Sequence, residues 1–450
     1  MSLTEKISLH VDASAPRIAQ TLCDLLAFPS VVKVDPREAG PGERNCQRYL
    51  QQRLSALGME TDLWEPDGPA LLAKYLGRPG ANPGRTFAGR PNLGGTLTGA
   101  GGGRSLMLTG HIDVVPPGPP EHWHSDPFAP VIKNGAVYGR GAVDMKGGVA
   151  CMLMAVELLQ ELGIRLNGDV VFTTVVDEEI GGMGSLAMVD RGFKADAGIM
   201  TEPTANRIAP ICHGILWARI ILDGIGGHAE LTPNSWDSSG PVDAVQLCRQ
   251  MLDGLEVLNR RWQTQPDKNH PLMDLPNQII VTQLKVGEHP ASIAGRAEIV
   301  IDVQYLPGEK DEMGLGGKVK QEIEDHVARV CALDPYLARH PARVEWILDA
   351  DCAEIEAEHP FVLSFQQSVS DAALNPQLAG FGAHSDIGLP STLGQTPTVN
   401  FGPGDPAMSH QPNEHVAIDD LVACTKAIAL TLVKWCGVAE AGLVQQKPNK

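Results

Sequence analysis

Runs of apolar residues that end at a glycine or an acidic residue recur in the first half of the chain and predict buried β-strands. Residues 105–109 form one run before Gly110, and residues 169–176 lead into an acidic triplet. Short apolar runs bounded in this way are typical of buried strands. Residues 147–162 are mostly apolar and have the length of a helix. The alternation of strands and helices over residues 70–210 predicts an α/β fold with a mainly parallel sheet and helices on both faces.

Apolar spacing also predicts the elements near the start of the chain. Residues 15–28 and 44–58 have the period of amphipathic helices. Residues 71–77, with the sequence LLAKYLG, predict a strand. The glycine- and proline-rich segment that follows predicts a surface loop with a short strand near residues 92–98.

The pattern changes after residue 212. Residues 213–353 predict, in order, a strand, a helix, two strands, a largely helical segment at 309–332 and a final strand. The order β-α-β-β-α-β is that of a ferredoxin-like unit. The sequence therefore predicts a main domain in two parts, residues 1–212 and 354–450, interrupted by an inserted α+β domain.

Charge and hydropathy exclude several classes of function. The formal net charge is −18, which disfavours binding to nucleic acid or to an anionic membrane surface, since both attract basic patches. No apolar run approaches the roughly 20 residues that a membrane-spanning helix needs. The first 16 residues lack a basic region followed by an apolar core, so no secretory signal is expected. The 9 cysteines are an odd number without a CxxC pair, and they predict reduced thiols in a cytoplasmic protein.

Five loops that follow predicted strands or precede a predicted helix carry His, Asp or Glu. They contribute, in chain order, His111 and Asp113; Asp144; Asp177, Glu178 and Glu179; Glu202; and His410. Ligands bind at the carboxyl ends of strands in open α/β sheets. Imidazole and carboxylate groups suit zinc, and a short aspartate can be shared by two ions. The set predicts a site for two divalent cations.

The motifs GHIDVVP, GRGAVDMKGG, DEEIGG, TEPT and FGPG followed by a histidine stand in this order in the sequence. In this order they resemble the group of dinuclear zinc hydrolases that includes acetylornithine deacetylase, succinyl-diaminopimelate desuccinylase, aminoacylase and carboxypeptidase G. The resemblance extends from about residue 15 to residue 435. It implies a zinc-peptidase-like catalytic domain, with residues 213–353 as a lid that often forms a homodimer.

The resemblance also implies the metal ligands. His111 and Glu202 would bind one zinc ion, Glu179 and His410 the other, and Asp144 would bridge them, so that each chain holds two Zn²⁺, with Co²⁺ or Mn²⁺ as possible substitutes. His415 is the alternative to His410, and a surface position is favoured for it.

Three further residues receive catalytic roles from the same resemblance. A hydroxide bridging the two ions would attack the carbonyl carbon, and Glu178 would act as general base and proton shuttle. Asp113 would hydrogen-bond the His111 imidazole and fix its orientation. His228 would stabilise the oxyanion, often from the partner subunit.

The chain departs from the family at the substrate. Many relatives carry an Arg two residues after the Asp that is Asp302 here, and this chain has Gln304. Loss of that guanidinium removes a fork that binds carboxylates, so recognition of an α-carboxylate is in question. His384 and Asp386, in the GAHSD loop, are candidates for substrate binding.

The predicted activity is hydrolysis of an N-acyl amide bond in a small molecule, of the deacetylase or desuccinylase type. Two alternatives use the same centre: a di- or exopeptidase, and an N-formyl-amine deformylase. A non-catalytic relative would lack Glu178 or one of the ligands, and this sequence keeps all of them. The sequence contains neither a GxSxG elbow nor an HExxH helix, so serine hydrolysis and single-zinc peptidase chemistry have no support.

Overall fold

The computed structural model describes residues 1–32, 41–231 and 234–439. The helices of these ranges, α1 to α11 in chain order, are Leu3–Ala13, Ala15–Leu26, Gly42–Ala56, Gly68–Tyr75, Lys146–Glu161, Met183–Asp190, Ala244–Trp262, Gly317–Ala332, Pro360–Asp371, Gly388–Thr392 and Ile418–Cys436. The strands, β1 to β17, are Glu60–Trp64, Asn92–Leu97, Leu106–His111, Val131–Lys133, Ala136–Tyr138, Val170–Val175, Ala197–Met200, Ile208–Cys212, Gly214–Asp223, Gly227–His228, Ile279–Val286, Ser292–Ile293, Arg296–Tyr305, Arg343–Ala350, Leu378–Phe381, Thr398–Asn400 and His415–Ala417.

An eight-stranded sheet with the order β1-β2-β6-β3-β7-β16-β8-β15 forms the centre of the main domain. Strands β6, β3, β7 and β16 are parallel neighbours, and β15 pairs in parallel with β8. Strand β2 pairs in antiparallel orientation with both β1 and β6, and the short contact between β16 and β8 is also antiparallel. Every residue of β3 and β6 is buried, because helices pack on the sheet and leave no face to water. The mainly parallel α/β fold predicted from the sequence is confirmed.

Residues of the predicted insertion form a separate four-stranded antiparallel sheet with the order β11-β13-β9-β14. Helices α7 and α8 pack against one another, and α7 also contacts β9, β11 and β13. The element order is the ferredoxin-like one that the sequence predicts. Burial alternates along β9, so that Leu216 and Ala218 are fully buried while Ile215 and Trp217 are only partly covered. The domain boundaries at 212 and 353 stay a prediction.

One local prediction was wrong. Residues 71–77 are not a strand, because helix α4 spans Gly68–Tyr75. Asp67 caps this helix by accepting a hydrogen bond from the Ala70 N–H, and Pro69 occupies its first turn, where its missing N–H costs nothing.

The segment 309–332 is largely helical, as predicted, although its helix begins only at Gly317. The residues before it form a loop in which Gly314 has φ of +88°, a conformation that ends helical geometry. Helix α1 at the start of the chain was not predicted from the sequence; it begins with a capping box in which Ser2 and Glu5 exchange hydrogen bonds. Within the described ranges, no helix has the length and apolarity to cross a membrane.

Candidate metal centre

Three parallel neighbours of the large sheet end at the same edge and deliver acidic and imidazole side chains there. His111 is the last residue of β3, Glu178 and Glu179 follow β6, and Glu202 follows β7. Because β3 lies between β6 and β7, these side chains converge on one place. Asp144 comes from the loop before α5.

His111, Asp144 and Glu202 form the first group of possible metal ligands. Their ligand atoms all lie within 4.8 Å of one another. His111 Nε2 lies 3.1 Å from Asp144 Oδ1 and 3.8 Å from Glu202 Oε1. The imidazole is fully enclosed, with 1 % of its side chain exposed.

Asp144, Glu179 and His410 form the second group, within the same 4.8 Å limit. His410 Nε2 lies 3.4 Å from Asp144 Oδ2 and 3.2 Å from Glu179 Oε2. Asp144 belongs to both groups and turns one carboxylate oxygen to each imidazole. His415 lies elsewhere: its ring stacks on Tyr138 at 4.5 Å between ring centroids.

The donor set fits two divalent cations. Glu179 Oε1 and Glu202 Oε1 are buried and have no hydrogen-bond partner among the described residues, a costly state unless an ion or another ligand contacts them. Burial raises the pKa of Glu178 and of Glu202 well above the usual value for glutamate. Although burial lowers the pKa of His111, its contact with Asp144 and the surrounding carboxylates raise it well above normal. The carboxylates repel one another and need positive charge between them, and each group combines one imidazole with two carboxylates, as zinc prefers.

Asp113 does not make the contact predicted for its side chain. His111 Nδ1 lies 2.9 Å from the backbone carbonyl of Asp113 and 3.7 Å from its Oδ1. The carbonyl therefore fixes the imidazole so that Nε2 faces the cluster. The Asp113 carboxylate instead accepts a hydrogen bond from the Glu179 N–H, and burial raises the pKa of Asp113 to about 7.

Glu414 organises the Asp144 loop, a role that no pattern in the sequence indicated. Its carboxylate accepts hydrogen bonds from the N–H groups of Gly141, Val143 and Asp144, at 3.1, 2.8 and 3.0 Å. It also pairs with Arg140 at 2.6 Å in the protein interior. Arg140 in turn donates to the backbone carbonyl of His410, so the pair connects the two loops that carry the shared aspartate and the second imidazole.

We expect Glu414→Gln to weaken metal binding by about 10- to 100-fold, the usual cost of losing a group that orients metal ligands. The amide leaves Arg140 buried without a counter-charge, so the free energy of unfolding should also fall by about 3 kcal/mol. Competition with a chelating indicator measures the metal affinity, and Glu354→Gln, which alters an exposed glutamate, is the matched control. Unchanged metal affinity would show that the Asp144 loop holds its shape without Glu414.

A buried ionic network holds the loop that carries Glu178. Asp177 precedes Glu178 with φ of +73°, and its carboxylate pairs with Arg85 and, at 3.0 Å, with Arg90. Arg90 pairs with Glu43 at 2.6 Å, with both side chains almost fully buried. The two arginines belong to the glycine- and proline-rich segment predicted as a surface loop. The clustering of arginines in that segment was the only feature of the sequence that could have indicated this ionic network.

A cleft of about 330 Å³ opens above the cluster, and Glu178 and His384 line it with the metal-ligand candidates other than His111. Glu178 Oε2 lies 3.8 Å from His111 Nε2. His384 and Asp386 lie after β15, and ligand atoms of Glu178, His384 and Asp386 lie within 4.8 Å of one another. The structure therefore brings both substrate-binding candidates to the site.

His228 is not brought to the site within one chain. It lies on the short ribbon in which β10 pairs with β12, its side chain is exposed, and its Nδ1 accepts a hydrogen bond from the Glu230 N–H. It does not line the cleft. Any part it takes in the reaction requires movement of the inserted unit or a second chain.

Comparison with protein families gives a match to the model described as peptidase family M20/M25/M40, over residues 107–434. The chain is 27% identical to the N-formyl-4-amino-5-aminomethyl-2-methylpyrimidine deformylase of Halalkalibacterium halodurans, over 98% of this chain and 99% of that protein. It is 29% identical to the succinyl-diaminopimelate desuccinylase of Nitrosococcus oceani, over 86% of this chain and 91% of that protein.

Solved structures show the same fold. A tripeptidase from Staphylococcus aureus superposes with a TM-score of 0.68 at 20% identity, covering 93% of this chain and 98% of that chain. Human carnosine dipeptidase 1 superposes with a TM-score of 0.67 at 17% identity, covering 96% of this chain and 100% of that chain.

Proposed function

The chain belongs to peptidase family M20/M25/M40, and from this membership and the geometry of its site we propose that it hydrolyses an N-acyl amide bond in a small molecule with the help of two divalent cations. The observation that carries the proposal is Asp144, whose two carboxylate oxygens face the imidazoles of two separate donor groups, with the buried Glu178 beside them. The relatives named for removal of formyl and succinyl groups from amines support the reaction type.

We assign His111 and Glu202 to one ion, Glu179 and His410 to the other, and Asp144 to both. Zinc is the proposed metal, because imidazole with carboxylates is a donor set that it prefers. When bound, two such ions polarise the carbonyl of the amide and lower the pKa of water.

Glu178 is the proposed general base and acid. Glu178 is 9 % exposed and lies beside the group formed by His111, Asp144 and Glu202. Its carboxylate is shielded from bulk water but faces the cleft. It takes a proton from the attacking water and gives it to the nitrogen of the leaving amine. The water oxygen bonds to the carbonyl carbon and the C–N bond breaks, so that one amide and one water yield one carboxylic acid and one amine.

We further propose that the protein is a homodimer that assembles through the inserted unit. Strand β11 is an edge strand of the four-stranded sheet, and three of its apolar side chains, Ile280, Val281 and Leu284, are 44, 41 and 53 % exposed. An exposed apolar edge is available for pairing with another chain. All nine cysteines are buried free thiols, which supports a location in the reducing cytoplasm.

The test is a panel of N-formyl, N-acetyl and N-succinyl amines and dipeptides, offered to protein whose metal content is measured by elemental analysis. We expect hydrolysis of at least one N-acyl amine by protein that holds about two divalent ions per chain. Preferential cleavage of dipeptides would favour the peptidase alternative. An active preparation that contains no divalent transition metal would refute the mechanism.

A further inference from the structure

The lining of the cleft carries information on the substrate of the proposed hydrolase. Its larger apolar side chains come from three strands and one turn: Ile215 and Trp217 from β9, Leu348 from β14, Phe381 from β15, and Pro406 from the turn. The Trp217 indole N–H donates to Asp302 at 2.7 Å, which holds the ring in place. The indole of Trp217 and the phenyl ring of Phe381 both line the cleft, and a small flat ring in the substrate can pack against either of them, since aromatic groups pack favourably against each other.

The polar side of the cleft consists of hydrogen-bond acceptors. The His384 side chain is 9 % exposed, lines the cleft, and has no hydrogen-bond partner at either ring nitrogen among the described residues. Asp386, 1 % exposed, lies behind it with 3.4 Å between Oδ1 and His384 Nε2, and its Oδ2 is likewise unpartnered. With Nε2 facing this carboxylate, Nδ1 of a neutral His384 is left as an acceptor.

Carboxylates are the main charged groups of the cleft. Asp144, Glu178, Glu179 and Glu202 line it, and Asp386 lies behind His384. Neither Lys nor Arg occurs among the described residues that line the cleft. An anionic group on the part of the substrate that meets His384 and Asp386 would be desolvated beside carboxylates with no Lys or Arg of the lining to pair with, and that arrangement is strongly unfavourable.

A hollow beside the cleft, lined by Arg207 and Asp274 among other residues, adds one guanidinium and one carboxylate. It shares Phe381 and Ala383 with the cleft and contains Gln304 at the position where many relatives have an arginine. The guanidinium in this hollow is that of Arg207, which lies 4.0 Å from the carboxylate of Asp274.

The position of Glu178 decides which half of the substrate meets these groups. Glu178 gives its proton to the amine nitrogen, so the substituent of that nitrogen lies next to it. Atoms of His384 and Asp386 lie within 4.8 Å of the Glu178 carboxylate. The amine half, rather than the acyl half, therefore faces the acceptors.

We propose, on the basis of the function proposed above, that the site selects amides whose amine half is a small flat ring bearing a cationic or N–H-donating group, received by His384 and Asp386, and rejects amine halves that carry a carboxylate.

Three probes of equal size test the charge preference: 4-(aminomethyl)benzamidine, 4-(aminomethyl)benzamide and 4-(aminomethyl)benzoate, each formylated on the aminomethyl nitrogen, or carrying there another acyl group if the panel shows that group to be cleaved faster. We expect kcat/KM to fall in the order amidine, carboxamide, carboxylate, with about tenfold or more between the first and the last, a difference of roughly 1.4 kcal/mol. Equal values or a preference for the carboxylate would overturn the proposal.

Binding separates this inference from the proposed reaction. Calorimetric titration of zinc-loaded Glu178→Gln protein with the same amides measures affinity without turnover, and the amidine should bind at least about tenfold more tightly than the carboxylate. If the probes bind in this order but no acyl group is ever cleaved, the reaction assignment fails and the inference stands. If cleavage occurs without the preference, the inference alone fails.

Two matched variants locate the preference. Asp386→Asn should reduce the ratio of amidine to carboxylate affinity to about a third or less, because it removes the buried charge behind His384. Asp253→Asn makes the same change in net charge on the exposed face of α7 and should leave the ratio as in the wild type. A ratio that Asp386→Asn leaves unchanged, in protein that keeps its metals, would remove Asp386 from the proposal.

Discussion

Glu178→Gln is expected to lower kcat by about three orders of magnitude while both metal ions stay bound. Glutamine has the size of glutamate and can occupy the same buried position, but it cannot accept the proton from water. Glu178 is not among the residues assigned to either ion, so the ligand set remains complete. The measurement combines steady-state kinetics on the best substrate of the panel with elemental analysis of the same preparation.

The adjacent residue provides the control. Glu179→Gln replaces a proposed ligand, since Glu179 Oε2 lies 3.2 Å from His410 Nε2. This variant should lose one ion as well as activity. If Glu178→Gln keeps its kcat within tenfold of the wild type, the base lies elsewhere; if it loses metal as Glu179→Gln does, Glu178 is itself a metal ligand.

His228→Ala is expected to lower kcat by about 10²- to 10³-fold, with KM and metal content little changed, because an oxyanion donor acts mainly in the transition state. The exposed position of His228 makes this prediction demanding, since within one chain the side chain does not line the cleft. His289→Ala is the control. His289 is also exposed, and its Nδ1 also accepts a hydrogen bond from a backbone N–H. The same substitution there removes the same kind of side chain from a residue with no proposed part in the reaction.

If His228 acts across a dimer, mixing two inactive variants should restore hydrolytic activity. A mixed dimer of His228→Ala and Glu178→Gln subunits contains one site with both native residues. Random exchange of equal amounts should then return activity to about a quarter of the wild-type value. No recovery after exchange has been verified by mass spectrometry would mean that His228 acts within its own chain or has no catalytic part.

The sequence was informative about the metal ligands because their placement follows from local rules. Apolar runs define the strands, and the residue after a run lies at the end of that strand. In a parallel sheet those ends share one edge, so His111 and Glu202 could be expected to lie near each other although they are 91 positions apart in the chain. Their distances agree with that expectation, and their role as ligands stays a prediction.

The sequence was misleading where a helix cap and a proline override a short apolar pattern. Residues 71–77 contain enough apolar side chains for a strand, yet the cap supplied by Asp67 and the proline that follows it favour a helix. A run of seven residues cannot distinguish the two by periodicity, because strand and helix patterns of that length overlap.

Hydropathy and motif order by themselves determined the α/β class, the ferredoxin-like insertion and the candidate ligands, since each depends on residues close in sequence or on the order of elements. Only the tertiary structure decided what surrounds the ligands. Glu414 contacts the Asp144 loop across about 270 residues, and Arg90 bridges Glu43 and Asp177 from a loop that looked exposed. Such contacts leave no periodic signal, because a buried charge is stabilised by whichever opposite charge the fold brings to it, and that choice is made in space rather than along the chain.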